Sequence, residues 1–208
     1  MPFAKPPELA SGIAPLTGTI GSKDRLVKSE ESLVIFTIGH STHPIERFLE
    51  LLETNRVTQL IDIRTIPRSR HNPQFDSQAL RASLRTAHIQ YVHLKELGGL
   101  RRARQDSINL GWRNLSFRGF ADYMQTPEFE AALAAAIEWA SARRTALMCA
   151  EAVPWRCHRS LVADALIVRG IRVLEIVSTR PPTEHQLTSF ARVCGTSITY
   201  PGDQALLV

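Results

Sequence analysis

Five short runs of β-branched and apolar residues, each handing over to a stretch of helical period, constrain this chain more than any other feature. They occupy residues 33–38, 58–64, 89–94, 145–149 and 172–177. Strands that alternate with helices imply a parallel sheet, because parallel neighbours are joined by crossovers that cover both faces. The expected fold is therefore α/β, a single three-layer, Rossmann-like domain with a mostly parallel sheet of about five strands and helices on both faces. Right-handed crossovers and winding in both directions from the first strand predict the order 3-2-1-4-5. A ligand crevice would then open between the strand ending at Gly39 and the strand ending at Cys149.

The intervening segments carry their own signals. Ile45, Phe48, Leu49, Leu51 and Leu52 give one helix an apolar face, with Ser41 or Thr42 as its N-cap and Pro44 in its first turn. A second helix is expected over Ser77–Thr86, turning Leu80 and Leu84 inward. The strongest helical pattern covers residues 127–143, where alanines surround Phe129, Leu133, Ile137 and Trp139. Residues 101–118 are polar and irregular and predict an inserted loop, followed by a short helix over 120–124. A further helix over 159–169 ends at Gly170, a natural C-cap. Beyond Pro181-Pro182 one short helix is expected over 183–193.

Residues 1–32 lack any period and predict a flexible N-terminal extension; residues 33–180 form the α/β domain, and 181–208 a peripheral C-terminal segment. The hydrophobic fraction of 44% and charged fraction of 22% suit a globular domain with a sizeable core. No apolar run approaches the roughly 20 residues that span a bilayer. The first 33 residues show no apolar signal-peptide core, so the expectation is a cytoplasmic protein without a membrane partner. Three cysteines, an odd number, then point to reduced thiols.

The formal net charge is +5, and all but four of the 25 Lys and Arg residues are arginine. Forked guanidinium groups suit bidentate recognition of phosphate or carboxylate, although a general arginine bias produces the same composition.

The segment Cys149-Ala150-Glu151-Ala152-Val153-Pro154-Trp155-Arg156-Cys157-His158-Arg159 concentrates ionisable groups where a strand hands over to a helix. Such junctions bind ligands, because a helix N-terminus offers free N–H groups and positive potential. Cys149 fits a small buried hydrophobe. Cys157, close to Arg156, Arg159 and a helix N-terminus, is the better candidate for a reactive thiolate. His158 could serve as a general base or, charged, bind an anion, and Glu151 could transfer protons. A phosphatase-type loop separates its cysteine and arginine by five residues; here six lie between Cys149 and Arg156, without glycine. Without a paired CxxC, the spacing does not favour structural zinc, and no metal is assigned.

Three more sets stand at predicted strand exits. His40-Ser41 follows the first strand, where a ring at the carboxyl edge of a sheet can contact a ligand and a serine can cap a helix. Asp62 and Arg64 alternate on the second strand, share a face, and form either an ion pair or part of a site. Arg68 opens the loop Arg68-Ser69-Arg70-His71-Asn72-Pro73-Gln74-Phe75, whose arginines suit phosphate contacts or a solvated surface.

Thr37-Ile38-Gly39-His40-Ser41, Asp62-Ile63-Arg64, the loop Pro67 to Phe75, Leu97-Gly98-Gly99, Cys149-Ala150-Glu151 and Cys157-His158-Arg159, in this order and spacing, resemble the domain-of-unknown-function 488 family (DUF488). The resemblance covers residues 35–177 and implies a compact α/β domain; it implies no activity and no cofactor.

The functional expectation is an enzyme acting on a phosphate-bearing ligand, a nucleotide or nucleic-acid component. Glu151, Cys157 and His158 would be catalytic, with His40, Ser41, Asp62, Arg64, Arg68, Arg156 and Arg159 binding the ligand. The alternative is a non-catalytic nucleic-acid or nucleotide binding module that uses the same arginines, with affinity that falls steeply with salt. Redox sensing by Cys149 and Cys157 ranks third and requires the two cysteines to be close in space.

Overall fold

The computed structural model describes residues 32–202 of the 208-residue chain. The extension expected over residues 1–32 lies, but for Ser32, outside the described residues. Five strands, β1 (Val34–Gly39), β2 (Gln59–Asp62), β3 (Gln90–His93), β4 (Thr145–Cys149) and β5 (Arg172–Ile176), form the parallel part of one sheet. A short strand, β6 (Thr183–Glu184), adds antiparallel to β5. The helices are α1 (Ile45–Thr54), α2 (Ser77–Thr86), α3 (Leu115–Tyr123), α4 (Pro127–Ala142) and α5 (Arg159–Ile167). The α/β class and the mostly parallel sheet are as expected.

The strand order is not. It reads β3-β2-β4-β1-β5-β6, so β4 enters between β1 and β2 instead of adding outside β1. Leu147 stands opposite Thr37 on one side and Ile61 on the other. Winding outward from the first strand assumes that successive strands become neighbours, which is a tendency and not a requirement. β4 is buried at all five positions, as a strand with a neighbour on each side and helices on each face should be.

Side chains alternate between two cores, as strand geometry demands. Phe36, Ile38, Leu60, Ala146 and Met148 face α1 and α2. Ile35, Ile61, Leu147, Cys149 and Val173 face the other cluster, which holds Phe120, Phe129, Leu133 and Leu161 of the remaining helices. The connections after β1 and β2 run toward the β3 edge, and those after β3 and β4 run toward the β5 edge. A common right-handed crossover therefore places α1 and α2 on one face and α3 to α5 on the other. Phe48, Leu51 and Leu52 anchor α1, each burial contributing about 1.5–3 kcal/mol.

Local differences have local causes. α1 begins at Ile45 with Pro44 as its N-cap, and not with Ser41 or Thr42. Ser41 instead adopts φ 49°, and its N–H donates to the Ala150 carbonyl at 2.9 Å, prolonging the β1–β4 ladder beyond the strands. α2 matches its expected span, and α4 ends one residue early. Most of residues 101–118 is loop, but Asn114 accepts from the Ser116 N–H at 2.8 Å and starts α3 before the expected residue 120.

The helix expected over 183–193 is absent; β6 lies there, followed by a hairpin of β7 (Arg192–Cys194) and β8 (Ser197–Thr199). Ile198 and Tyr200 join the core cluster of α4 and α5. Polar contacts fix this segment: the Tyr200 hydroxyl donates to Asp164 at 2.8 Å, and His185 sits between Asp164 (2.9 Å) and Glu175 (2.6 Å). Against the opposing effect of burial, those two carboxylates raise the His185 pKa to about 9.

Candidate functional site

The site lies at the carboxyl ends of β2 and β4. These are adjacent strands whose following connections depart in opposite directions, which is where an open α/β sheet forms its crevice. A pocket of about 420 Å³ opens there. One wall is the exit of β2, with Arg64, Thr65, Ile66 and Arg68. The exit of β4 supplies Cys149, Glu151, Arg156, Cys157 and His158. Gly99, Leu100 and the start of α3 close the remaining side.

A paired thiol forms the floor. Cys149 ends β4 and Cys157 precedes α5, and their sulfur atoms are 2.7 Å apart. Arg159, in the first turn of α5, donates from Nη1 to Cys149 Sγ at 2.8 Å and to the Glu151 carbonyl at 2.5 Å. Its Nη2 donates to the Ala152 carbonyl at 2.9 Å. The Arg159 side chain is 1% exposed, and no carboxylate among the described residues pairs with it. A buried guanidinium needs a counter-charge, and the sulfur of Cys149 is the group positioned to supply it.

The two thiols therefore divide. Burial opposes ionisation of Cys149, but the S–H donated by Cys157 and the charge and hydrogen bond of Arg159 bring its pKa down to about 7. Burial, donation to Cys149 and the charge on Cys149 all raise that of Cys157. The expectation that Cys157 is the low-pKa thiol is thus corrected. Arg156 is exposed, and although the charge and backbone N–H of Arg159 act to lower the Cys157 pKa, burial and the neighbouring Cys149 outweigh them, while the Arg159 guanidinium bonds to Cys149. Among the described residues no group of three or more His, Cys, Asp or Glu is arranged to hold a metal ion.

His158 lies beside the pair, with Nδ1 3.5 Å from Cys157 Sγ and Nε2 3.3 Å from the Ile63 carbonyl. Burial foremost lowers its pKa to about 4. The neutral ring donates from Nε2 to Ile63 and turns the Nδ1 lone pair toward Cys157. Two glycines make this packing possible. A Cβ on Gly99 would enter the His158 ring, and one on Gly39 would collide with the Glu151 carbonyl and Arg159 Nη1.

Asp62 and Arg64 form a buried bidentate pair, with Nε to Oδ1 at 2.9 Å and Nη2 to Oδ2 at 2.6 Å. Arg64 also donates to the Phe75 carbonyl at 2.9 Å, and the Tyr91 hydroxyl donates to Asp62 at 2.9 Å. His40 Nε2 is 3.2 Å from Arg64 Nη1, and its ring stacks on Phe75 with centroids 4.2 Å apart. Burial, assisted by the charge of Arg64, lowers the His40 pKa to about 4. His40 is the neutral acceptor beneath Arg64.

The structure brings Cys149, Cys157, His158 and Arg159 together, and groups His40, Asp62 and Arg64 in a second cluster. Arg68, Glu151 and Arg156 are exposed on the pocket. It does not place His40 and Ser41 on an opposite wall. The N–H groups of His40 and Ser41 bond to the carbonyls of Cys149 and Ala150, which closes the space between β1 and β4. Because β4 lies between β1 and β2, its open side faces β2. Sequence reasoning missed Asn114, Ser116 and Phe117, whose one signal was an N-cap asparagine inside an apparent loop.

The fold and pocket define a three-layer α/β protein with a paired-thiol site at the carboxyl edge of its parallel sheet. More particularly, the chain belongs to the DUF488 family, described as a domain of unknown function, which matches residues 44–166. That span includes Asp62, Arg64, both site cysteines, His158 and Arg159, while His40 and Ser41 precede it. No curated protein and no solved structure matches the chain.

Proposed function

We propose that this chain is an enzyme acting on a phosphate-bearing small molecule, a nucleotide or a nucleic-acid component, with Cys149 as its nucleophile. One observation carries the reading: a thiol whose sulfur accepts from a buried guanidinium without a carboxylate partner among the described residues lines a pocket that also presents Arg68 and Arg156. Neither of those two arginines takes part in an ion pair among the described residues. Charged hydrogen bonds to an anion are the strong kind, contributing about 1.5–3 kcal/mol each. The N-terminus of α3 adds partial positive charge on the same pocket.

In this reading Arg68 and Arg156 hold the anionic group and Cys149 attacks the electrophilic centre. The sulfur bonds to that atom as the bond to the departing group breaks. Water activated by Glu151 then releases the ligand and restores the thiolate. Arg64 and Arg159 are positioning residues: Arg64 Nε and Nη2 are held by Asp62 and the Phe75 carbonyl, and Arg159 Nη1 and Nη2 are held by Cys149 and two loop carbonyls, with only the buried Arg159 Nε lacking a partner among the described residues.

The test is native mass spectrometry of the purified protein, followed by turnover assays on whatever is retained. The reading predicts a phosphate-bearing ligand that is lost in the Arg68→Ala/Arg156→Ala variant and is converted by the parent chain but not by Cys149→Ser. Retention without Cys149-dependent conversion would favour a non-catalytic binding module. Absence of any phosphate-bearing ligand, together with no binding of a nucleotide panel, would contradict both.

A further inference from the structure

The same floor carries a second chemistry. A disulfide bond is about 2.05 Å long, so sulfurs 2.7 Å apart have roughly 0.7 Å left to close. The two thiols are also placed unlike, which thiol oxidation exploits: the Arg159 guanidinium faces Cys149 and favours its thiolate, while Cys157 directs its S–H at Cys149 and has no side-chain cation among the described residues bonded to its sulfur. Access favours a small oxidant, because Cys149 is 1% and Cys157 4% exposed at the base of the pocket. Cys194, the third cysteine, is exposed on β7 and belongs to the separate hairpin.

We infer that Cys149 and Cys157 are a peroxide-reactive dithiol, with Cys149 the attacking and Cys157 the resolving residue. The Cys149 thiolate attacks one oxygen of hydrogen peroxide, the O–O bond breaks, and Cys149 sulfenic acid and hydroxide result. Cys157 Sγ then attacks Cys149 Sγ, and the proton that Cys157 directs at Cys149 passes to the departing hydroxyl, which leaves as water. The two sulfurs lose two electrons and the peroxide gains them.

Disulfide formation removes the negative sulfur that faces Arg159 and, with it, the nucleophile of the proposed reaction. Oxidation would thus switch the pocket off, and reduction by a thiol would restore it. The inference shares with the proposed function the thiolate at Cys149, but not the anionic ligand.

The experiment treats the full chain with hydrogen peroxide and maps peptides without reduction. The expected product is a Cys149–Cys157 crosslink, formed before Cys194 is modified and reversed by dithiothreitol. Cys157→Ser should stop at a Cys149 sulfenic acid that dimedone traps. Cys149→Ser should leave Cys157 at least tenfold slower to oxidise. In the unmodified chain, oxidation of Cys149 to sulfinic or sulfonic acid without a crosslink, or modification of Cys194 alone, would overturn the inference, and neither result needs a variant to fold. A ligand retained by a chain that forms no crosslink would refute this inference and leave the proposed function standing. A crosslink in a chain that binds no nucleotide would do the reverse.

Discussion

Arg159 and Cys149 form the buried charge relationship on which the site depends: Nη1 lies 2.8 Å from Sγ, and the guanidinium meets carbonyls of the β4 exit loop with its remaining contacts. The arginine is both a counter-ion and a brace. Arg159→Met should therefore raise the Cys149 pKa from about 7 toward the ordinary thiol range. It should also lower stability by about 1–3 kcal/mol, because the hydrogen bonds that tie the Glu151 and Ala152 carbonyls to the start of α5 are lost while the thiol left behind can protonate. Thiol titration by ultraviolet absorbance and urea unfolding check the two effects. A variant with unaltered thiol titration would break the link between the residues.

Asp62 and Arg64 invite a different perturbation. Asp62→Asn leaves a guanidinium that is 6% exposed without its carboxylate, and should cost about 3–5 kcal/mol in denaturant unfolding. Replacing both, as Asp62→Asn with Arg64→Met, removes the stranded charge and should recover part of that loss. If the double variant is as unstable as the sum of the single variants, the two side chains are not coupled.

His185 gives a pH signature. Its folded pKa is raised to about 9, so its pairing with Asp164 and Glu175 contributes fully below the unfolded value of about 6.5 and is lost as pH rises through 9. Cys149 acts with the opposite sign: its folded value is depressed to about 7, so its contribution grows as pH rises above 7. His185→Gln keeps the Cys149 contribution, and comparison of the two chains isolates the histidine. The parent's advantage over His185→Gln should shrink between pH 6.5 and 9 in urea unfolding. A constant difference across that window would exclude a charged His185.

Much of the fold is legible because strand and helix periods differ. The five parallel strands are found where β-branched runs stand, and α2 and α4 follow their apolar spacing. The place of β4 was not legible, since alternation specifies how many crossovers occur but not which neighbour each strand finds. The C-terminal strands were missed because β6, β7 and β8 span only two or three residues each, too few to show alternation, and long-range contacts of His185 and Tyr200 hold that segment.

Within the site, Asp62 and Arg64 could be paired from a two-residue spacing alone. The division of labour between Cys149 and Cys157 could not. Arg156 is adjacent to Cys157 in sequence, yet helix geometry sends Arg159 to the other sulfur.

The most direct measurement is the pH dependence of iodoacetamide alkylation of the full chain, with modified cysteines assigned by peptide mapping. Modification of Cys149 should precede that of Cys157 and follow a midpoint near pH 7. Faster modification of Cys157, or a Cys149 midpoint in the ordinary range near 8.5, would contradict a thiolate at the floor of the pocket.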